Sequence, residues 1–520
     1  MRLVKILALT ALSVIFFAGS MLPVFAVETN DDDGNYMYDD DGNYIEYEEY
    51  DPNEDVEEDA FTSTFSTSWF DNHRRAEVYT ITTAIQLQGL ADLVNEGRYD
   101  EYTNRANQYE SFEGKTIKLG RDITVRDNFT PIGWSEDICF KGVFDGNGHT
   151  IKGLNFNENG GNAGLFGYLD GTVKNLKLKG NIKSSGAECG AFAGYLGKNG
   201  LVKNCKSYVT VTGKAMTGGI VGHNDGGTIT ECVNNGDVQG TMKVGGIVGE
   251  NWGKVTKCGN RAEIKSTERG ATTYGTGGVC GRSVSEDSVV ERCFNTGLVS
   301  SGTEGTGGIC GYMNAKGSKI VSCYNTGHLK VRNNAVLKAD NIRGYAGGIV
   351  GIAGVKGLII SDCYNAGAID NSDVSGGIIG GYLDESELSN DPDIRNNYYL
   401  NESGVKGVGS DIAGNAKNIR EGTDRISQAT LISSASKLGS AYIEDSENQF
   451  GANGYPVLKW QKKHGKVKNS RLTCVSADMQ KKYDRFIKKN PASERPDWPV
   501  IIFFNHSAFT TQAIGDFHEQ

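Results

Sequence analysis

Six copies of the string Gly-Gly-apolar-apolar-Gly run through the middle of this 520-residue chain, and they constrain its architecture more than any other feature. They stand at Gly218–Gly222, Gly245–Gly249, Gly277–Gly281, Gly307–Gly311, Gly347–Gly351 and Gly376–Gly380. Weaker copies precede them at Ala163–Gly167 and Gly190–Gly194. Successive starts lie 27, 32, 30, 40 and 29 residues apart, a period that belongs to solenoids.

The second half of each repeat is more regular than the first. An apolar residue is followed three positions later by Cys and six positions after that by another apolar residue. Val202, Cys205 and Val211 set the pattern; Ile229, Cys232 and Val238 repeat it, and the last copy is Ile360, Cys363 and Ile369. A spacing of three reverses the face of a strand, so a corner between the apolar residue and Cys is needed to turn both inward. An Asn-x-Gly turn follows Cys at Asn295–Gly297, Asn325–Gly327 and Asn365–Gly367, residue types that tolerate left-handed backbone. The pattern predicts three short strands per turn, each paired with its counterpart one turn away. That is an all-β, right-handed parallel β-helix with a small helical N-terminal cap. The 70 glycines serve corners that a Cβ would block. Helical repeats are disfavoured, because the segments lack a 3.6-residue period.

Six of the eleven cysteines share one column, Cys280 and Cys310 share another, and Tyr398 is read as occupying the Cys slot of the last turn. Small buried thiols are the favoured reading. Stacked neighbours would lie near bridging distance, which leaves disulfides open. Cys-x-x-Cys spacing is absent, and no metal or cofactor is expected.

Residues 1–26 read as a secretory signal, with Arg2 and Lys5, the apolar Ile6–Ala18 and a small-residue cleavage site ending at Ala26. No later segment is apolar enough to span a bilayer, so the mature chain is expected outside the cell or on its surface. Residues 27–75 form an acidic linker: of 64 acidic residues against 53 basic ones, 16 fall within residues 28–59. A calcium loop there would place Asp39, Asp41 and Glu48 as ligands, but Met37 stands at its first position. Residues 76–135 are expected to cap the solenoid, through a helix opened by the capping box Thr83/Gln86 and stopped at Gly97. The β-helix should span 136–400, a C-terminal cap 401–460 should hold a helix over Ala429–Leu438 and a strand at Phe450–Trp460, and 461–520 is unassigned.

The ordered set Ile81–Glu96, Gly114–Ile123, Thr130–Gly133, the FDGNGHTI stretch Phe144–Ile151, Ala163–Gly167 and the Gly-Gly series resembles the GLUG-motif repeat region of bacterial secreted and surface proteins. The closing Gly454–Trp460 is similar to the way such regions end, and the resemblance covers about residues 78–460. It implies a right-handed β-helix, adhesin-like roles and occurrence upstream of zinc peptidases that cleave immunoglobulin A. It implies no defined catalytic residues.

The residues themselves offer little chemistry. The only His-Glu pair, His518-Glu519, stands at the end of the given chain without the second imidazole a zinc peptidase needs. A polysaccharide lyase or hydrolase would need carboxylates or basic groups aligned on adjacent turns. Asp225, Glu250, Arg282 and Glu286 follow successive Gly-Gly strings but differ in type, and Asp145 reads as a turn former. Two connections are long: thirteen residues from Ile264 to Gly277 and eighteen from Leu329 to Gly347. The longer one carries Lys330, Arg332, Lys338 and Arg343, suited to an anionic glycan or acidic protein surface. The expected function is therefore non-catalytic adhesion or binding of glycan or protein at the cell surface, with no nucleic-acid partner. A polysaccharide-degrading enzyme and an accessory module of a larger peptidase or surface protein are the alternatives.

Overall fold

A computed structural model describes residues 65–464, apart from short stretches at 97, 101–104, 126–128, 159–160, 268–273, 303, 332–343, 355–356, 371–373, 383–392, 401–405, 412–421 and 446–447. Outside that span it gives only two-residue strands at Val24–Phe25, Met37–Tyr38, Tyr44–Ile45 and Ile501–Ile502. The expected signal, calcium loop and tail therefore lie outside the described residues. The chain divides into two compact units: residues 59–444 with 455–459, and residues 1–58, 445–454 and 460–520.

The larger unit is a parallel β-helix. Three sheets of 16, 15 and 11 strands run along it, and each strand pairs in parallel with its counterpart one turn on. One turn shows the plan. Met216–Gly218 and Val221–Asn224 flank the Gly-Gly string and form the Gly wall. Thr228–Thr230 forms the middle wall. Val233–Asn234 and Val238–Gly240 form the Asn wall. The turns from Met216 to Asp370 thus have five short strands each rather than the expected three, because the Gly-Gly string breaks one wall and the Asn-x-Gly corner breaks another. Lys206–Thr212 and Val374–Tyr382 on the flanking turns stay unbroken.

The spacing of three is resolved by a corner, as expected. The residue before each Cys adopts left-handed backbone: Asn204, Glu231, Lys257, Arg292, Ser322 and Asp362 have φ between 52° and 58°. Both the apolar residue and the Cys then face the main core. In the first arm the last apolar residue, Val211, also faces this core, but in the later arms it does not. Val238, Ile264, Val299 and Leu329 join Val244 in a separate cluster between the outer limbs of the Asn and Gly walls.

The Asn-x-Gly corner differs from the expectation: neither its Asn nor its Gly has positive φ. Its asparagines instead form a buried ladder. The Nδ2 of Asn234, Asn260, Asn295 and Asn325 donates to the Oδ1 one turn on, at 2.8–2.9 Å, ending at Asn365. Each amide also donates to the carbonyl two residues ahead, as Asn325 does to Gly327 at 2.9 Å. The glycine is required by close approach, since a Cβ on Gly327 would lie 2.0 Å from the Gly297 carbonyl oxygen.

This ladder also explains the Gly-Gly string. A Cβ on the second glycine, Gly278, would stand 2.3 Å from the Asn295 side chain, so the ladder fills the space. A Cβ on the first, Gly277, would meet the Cys280 carbonyl at 2.1 Å. The third, Gly281, lies against the strand before the preceding string, where a Cβ would be 2.7 Å from the Val244 nitrogen. The two limbs of the Gly wall are therefore folded tightly together.

All ten described cysteines are buried and unbridged. Cys232, Cys258, Cys293 and Cys323 each place Sγ 3.5–3.6 Å from the carbonyl of the apolar residue one turn back. Tyr398 does not occupy the Cys slot, because it pairs with Tyr364. Asn397 takes that place: its Nδ2 donates to the Ile360 carbonyl at 2.8 Å, and its Oδ1 accepts from the Cys363 N–H at 3.1 Å. Left-handed Asn396 turns the corner one residue earlier, which moves the slot.

At the N-terminal end, the helix Ala84–Asn95 carries the expected capping box, with Leu87, Leu90, Ala91, Leu93 and Val94 buried. It ends at Asn95, two residues before Gly97. Phe70, Phe112, Phe140 and Phe166 continue the core inward as a chain of rings 5.1–5.9 Å apart. Toward the other end the helix is shorter than expected, Gln428–Ile432, and the closing strand is only Val457–Leu458, antiparallel to Tyr442–Ile443. Tyr364 Oη donates to the Pro456 carbonyl there. In the smaller unit, the Asp445 carboxylate accepts from the Gln449 and Phe450 N–H groups.

Candidate functional site

Parallel stacking converts one position of the repeat into a column along the solenoid. On the limb after the Gly-Gly string, Tyr168, Tyr195, His223, Glu250, Arg282 and Tyr312 occupy successive turns in register. On the limb before it, Glu188, Met216 and Lys243 are likewise aligned. The folded Gly wall brings the two columns side by side.

The first part of the column is aromatic. Tyr168 and Tyr195 stack at 4.6 Å, Tyr195 and His223 at 4.7 Å, and Trp252 tilts against His223 at 5.9 Å. Trp252 is 43% exposed. Trp134, 60% exposed, lies in the loop between Ile132, which bridges Phe166, and Phe140, which bridges Leu169. Burial raises the phenol pKa of Tyr195, and the neighbouring Asp225, which hydrogen-bonds it, raises it further. Tyr168 is raised by burial, by Tyr195 and by Glu136 and Asp170.

The middle of the column is charged. Glu250 is 5% exposed and is gripped by Lys243. Arg282 stands 3.8 Å away, His223 at 3.8 Å, and Trp252 Nε1 donates to Oε1 at 3.3 Å. Burial lowers the His223 pKa against the pull of Glu250, so its ring is neutral near pH 7. Burial likewise raises the Glu188 carboxyl, with Lys243 opposing. The column then becomes apolar, Tyr312 and Ile352 packing with Tyr345 of the other limb.

Of the four charged residues that follow the Gly-Gly strings, the structure joins Glu250 and Arg282 in this network. It sets Asp225 beside Tyr195 and leaves Glu286 in the next corner. The sequence signal for the aromatic part was the same position, directly after the last glycine of each string, where Tyr168, Tyr195 and His223 precede Glu250 and Arg282. Asp145 is a turn residue: its Oδ1 accepts from Asn147 N and Asn175 Nδ2. Burial opposes its ionisation, but these bonds and Lys174 outweigh that and hold its carboxyl below the usual range. Among the residues of the long connection, Lys330 is exposed and in backbone register with Asp370, whose carboxylate pairs with His328 Nε2 at 2.7 Å. Arg332, Lys338 and Arg343 lie outside the described residues. Among the described residues, no group of three metal-ligating side chains converges, and no helix is long and apolar enough to cross a membrane.

Halomucin of Haloquadratum walsbyi is 32% identical over 148 residues, which is 26% of this chain. The chain spans about 2% of that protein's length. The crystal structure of a suspected immunoglobulin A1 protease from Bacteroides ovatus aligns over 74% of this chain and 92% of its own, at 20% identity and a TM-score of 0.38. The profile of the GLUG motif matches residues 215–239, one turn of the β-helix from the Gly wall to the Asn wall. The chain thus carries the GLUG motif at residues 215–239, within one turn of its solenoid.

Proposed function

We propose that this chain is a non-catalytic β-helix protein that works at or outside the cell surface by binding a glycan or a surface protein. The observation that carries this reading is the state of Glu250. It is the one carboxylate placed centrally in the column, and it is buried and paired with Lys243, with Arg282 and His223 beside it. A general acid or base must reach its substrate proton, whereas this group is enclosed by its own partners. Aromatic surface on the same wall stays open at Trp134 and Trp252. The GLUG repeat and the partial likeness to halomucin support a surface setting, and a match to so small a share of that protein supports use as a module.

Retention on immobilised polysaccharides, measured together with the chain length of soluble ones, tests this reading against a carbohydrate-degrading enzyme. Retention with unchanged chain length is expected. Release of new reducing ends or unsaturated products would overturn it.

A further inference from the structure

The aromatic stretch of the Gly wall has a chemistry that narrows the ligand. Tyr168, Tyr195, His223 and Trp252 advance one ring per turn at 4.6–5.9 Å, close to the length of one pyranose unit in an extended chain. Tyr195 is stacked on both faces and the buried Tyr168 on one, so the row offers a ligand ring edges rather than open faces. The open aromatic surface is at its ends, Trp134 and Trp252. Backbone groups along this wall are paired with the turns on either side, so an added peptide strand finds no edge. A ligand here must be held by side chains repeated at the solenoid period.

Charge narrows it further. Glu136 and Asp170 act on Tyr168, and Asp225 acts on Tyr195. Glu136 is exposed, and Asp170 and Asp225 are half-buried. Asp170 is fixed by Asn199, whose backbone N–H and Nδ2 it accepts at 2.9 and 3.0 Å. Exposed Asp137 adds to these carboxylates, and Lys141 and Lys198 stand against them. Such a surface repels uronates and sulfated sugars and attracts ammonium groups, which aromatic rings also favour.

Resting on the binding reading above, we infer that this row is a docking strip for a linear amino-sugar glycan with free ammonium groups, its sugar faces on Trp134 and Trp252 and its cations at Glu136, Asp170 and Asp225. Each sugar unit would advance by about one turn of the solenoid.

Titration calorimetry of the full chain with chitosan oligosaccharides tests this. Fully N-acetylated oligomers, oligogalacturonate and oligolysine of matched length serve as comparisons. Chitosan oligomers are expected to bind most tightly and to weaken with salt. Trp134→Ala and Trp252→Ala should each reduce affinity about five- to tenfold, and Asp225→Asn should lower both affinity and salt dependence. Circular dichroism of each variant checks folding. Equal or tighter binding of oligogalacturonate or oligolysine, no binding of chitosan, or unchanged affinity in both Trp variants would overturn the inference. Retention of another glycan without cleavage would then leave the binding function standing, whereas depolymerisation of any glycan would remove that function itself.

Discussion

Single residues in this fold act as members of columns, so their replacement is felt on the turns above and below. Asn325 sits inside the ladder, donating to Asn365 and accepting from Asn295. Asn325→Ala removes one ladder bond from each neighbour and strips the buried Gly327 backbone of both its bonds to this amide, and chemical denaturation should show a loss of about 2–3 kcal/mol. The Cys column follows related logic. Asn397 reproduces with its amide both bonds that the thiols make, donating to a carbonyl and accepting from a backbone N–H. The residue before each Cys carries the opposite opportunity. Lys257 holds φ at 52°, a conformation that costs a side chain about 1 kcal/mol. Lys257→Gly relieves that cost while enlarging the freedom of the unfolded chain, so Lys257→Asn is the cleaner variant. Its melting temperature should rise, and a fall would show that the Lys257–Glu231 pair at 3.5 Å matters more.

At the scale of the strand and corner, the Gly wall is set by how closely its limbs approach. Gly281→Ala places a Cβ 2.5 Å from the Gly249 carbonyl and 2.7 Å from the Val244 nitrogen, both backbone atoms. A destabilisation of about 2–3 kcal/mol is expected from thermal or urea unfolding. The charged part of the wall gives a pH signature. His223 is depressed below its ordinary value of 6.5, so the unfolded chain takes up this proton first. Its contribution is full above about pH 6.5 and declines as pH falls below that value. Stability between pH 7.5 and 5 should therefore fall less steeply in His223→Gln than in the parent.

For the whole molecule, the repeat was legible from Gly281, Cys293 and their counterparts, because periodic close packing allows few residue types at each place. The corner before Cys followed from the spacing alone. The Asn ladder did not, because Asn295 before Gly297 reads equally well as a turn of left-handed residues, and only stacking reveals amide-to-amide bonds. Tyr398 was misplaced for a related reason, since corner position depends on the backbone at Asn396. The candidate face was half visible: Glu250 and Arg282 stood out by charge, whereas Tyr168, Tyr195 and Trp252 look like ordinary aromatics until the register aligns them. Lys330, by contrast, was conspicuous in sequence and sits beside Asp370 in the structure.

The central claim is that the Gly wall, not the long basic connection, carries the binding surface of a non-catalytic solenoid. The most direct measurement compares the parent, Trp134→Ala/Trp252→Ala and Lys330→Ala/Arg332→Ala for retention on the same immobilised glycan. Loss of retention in the tryptophan variant alone, with the glycan intact, is the predicted result. Loss in the Lys330 variant alone would contradict it.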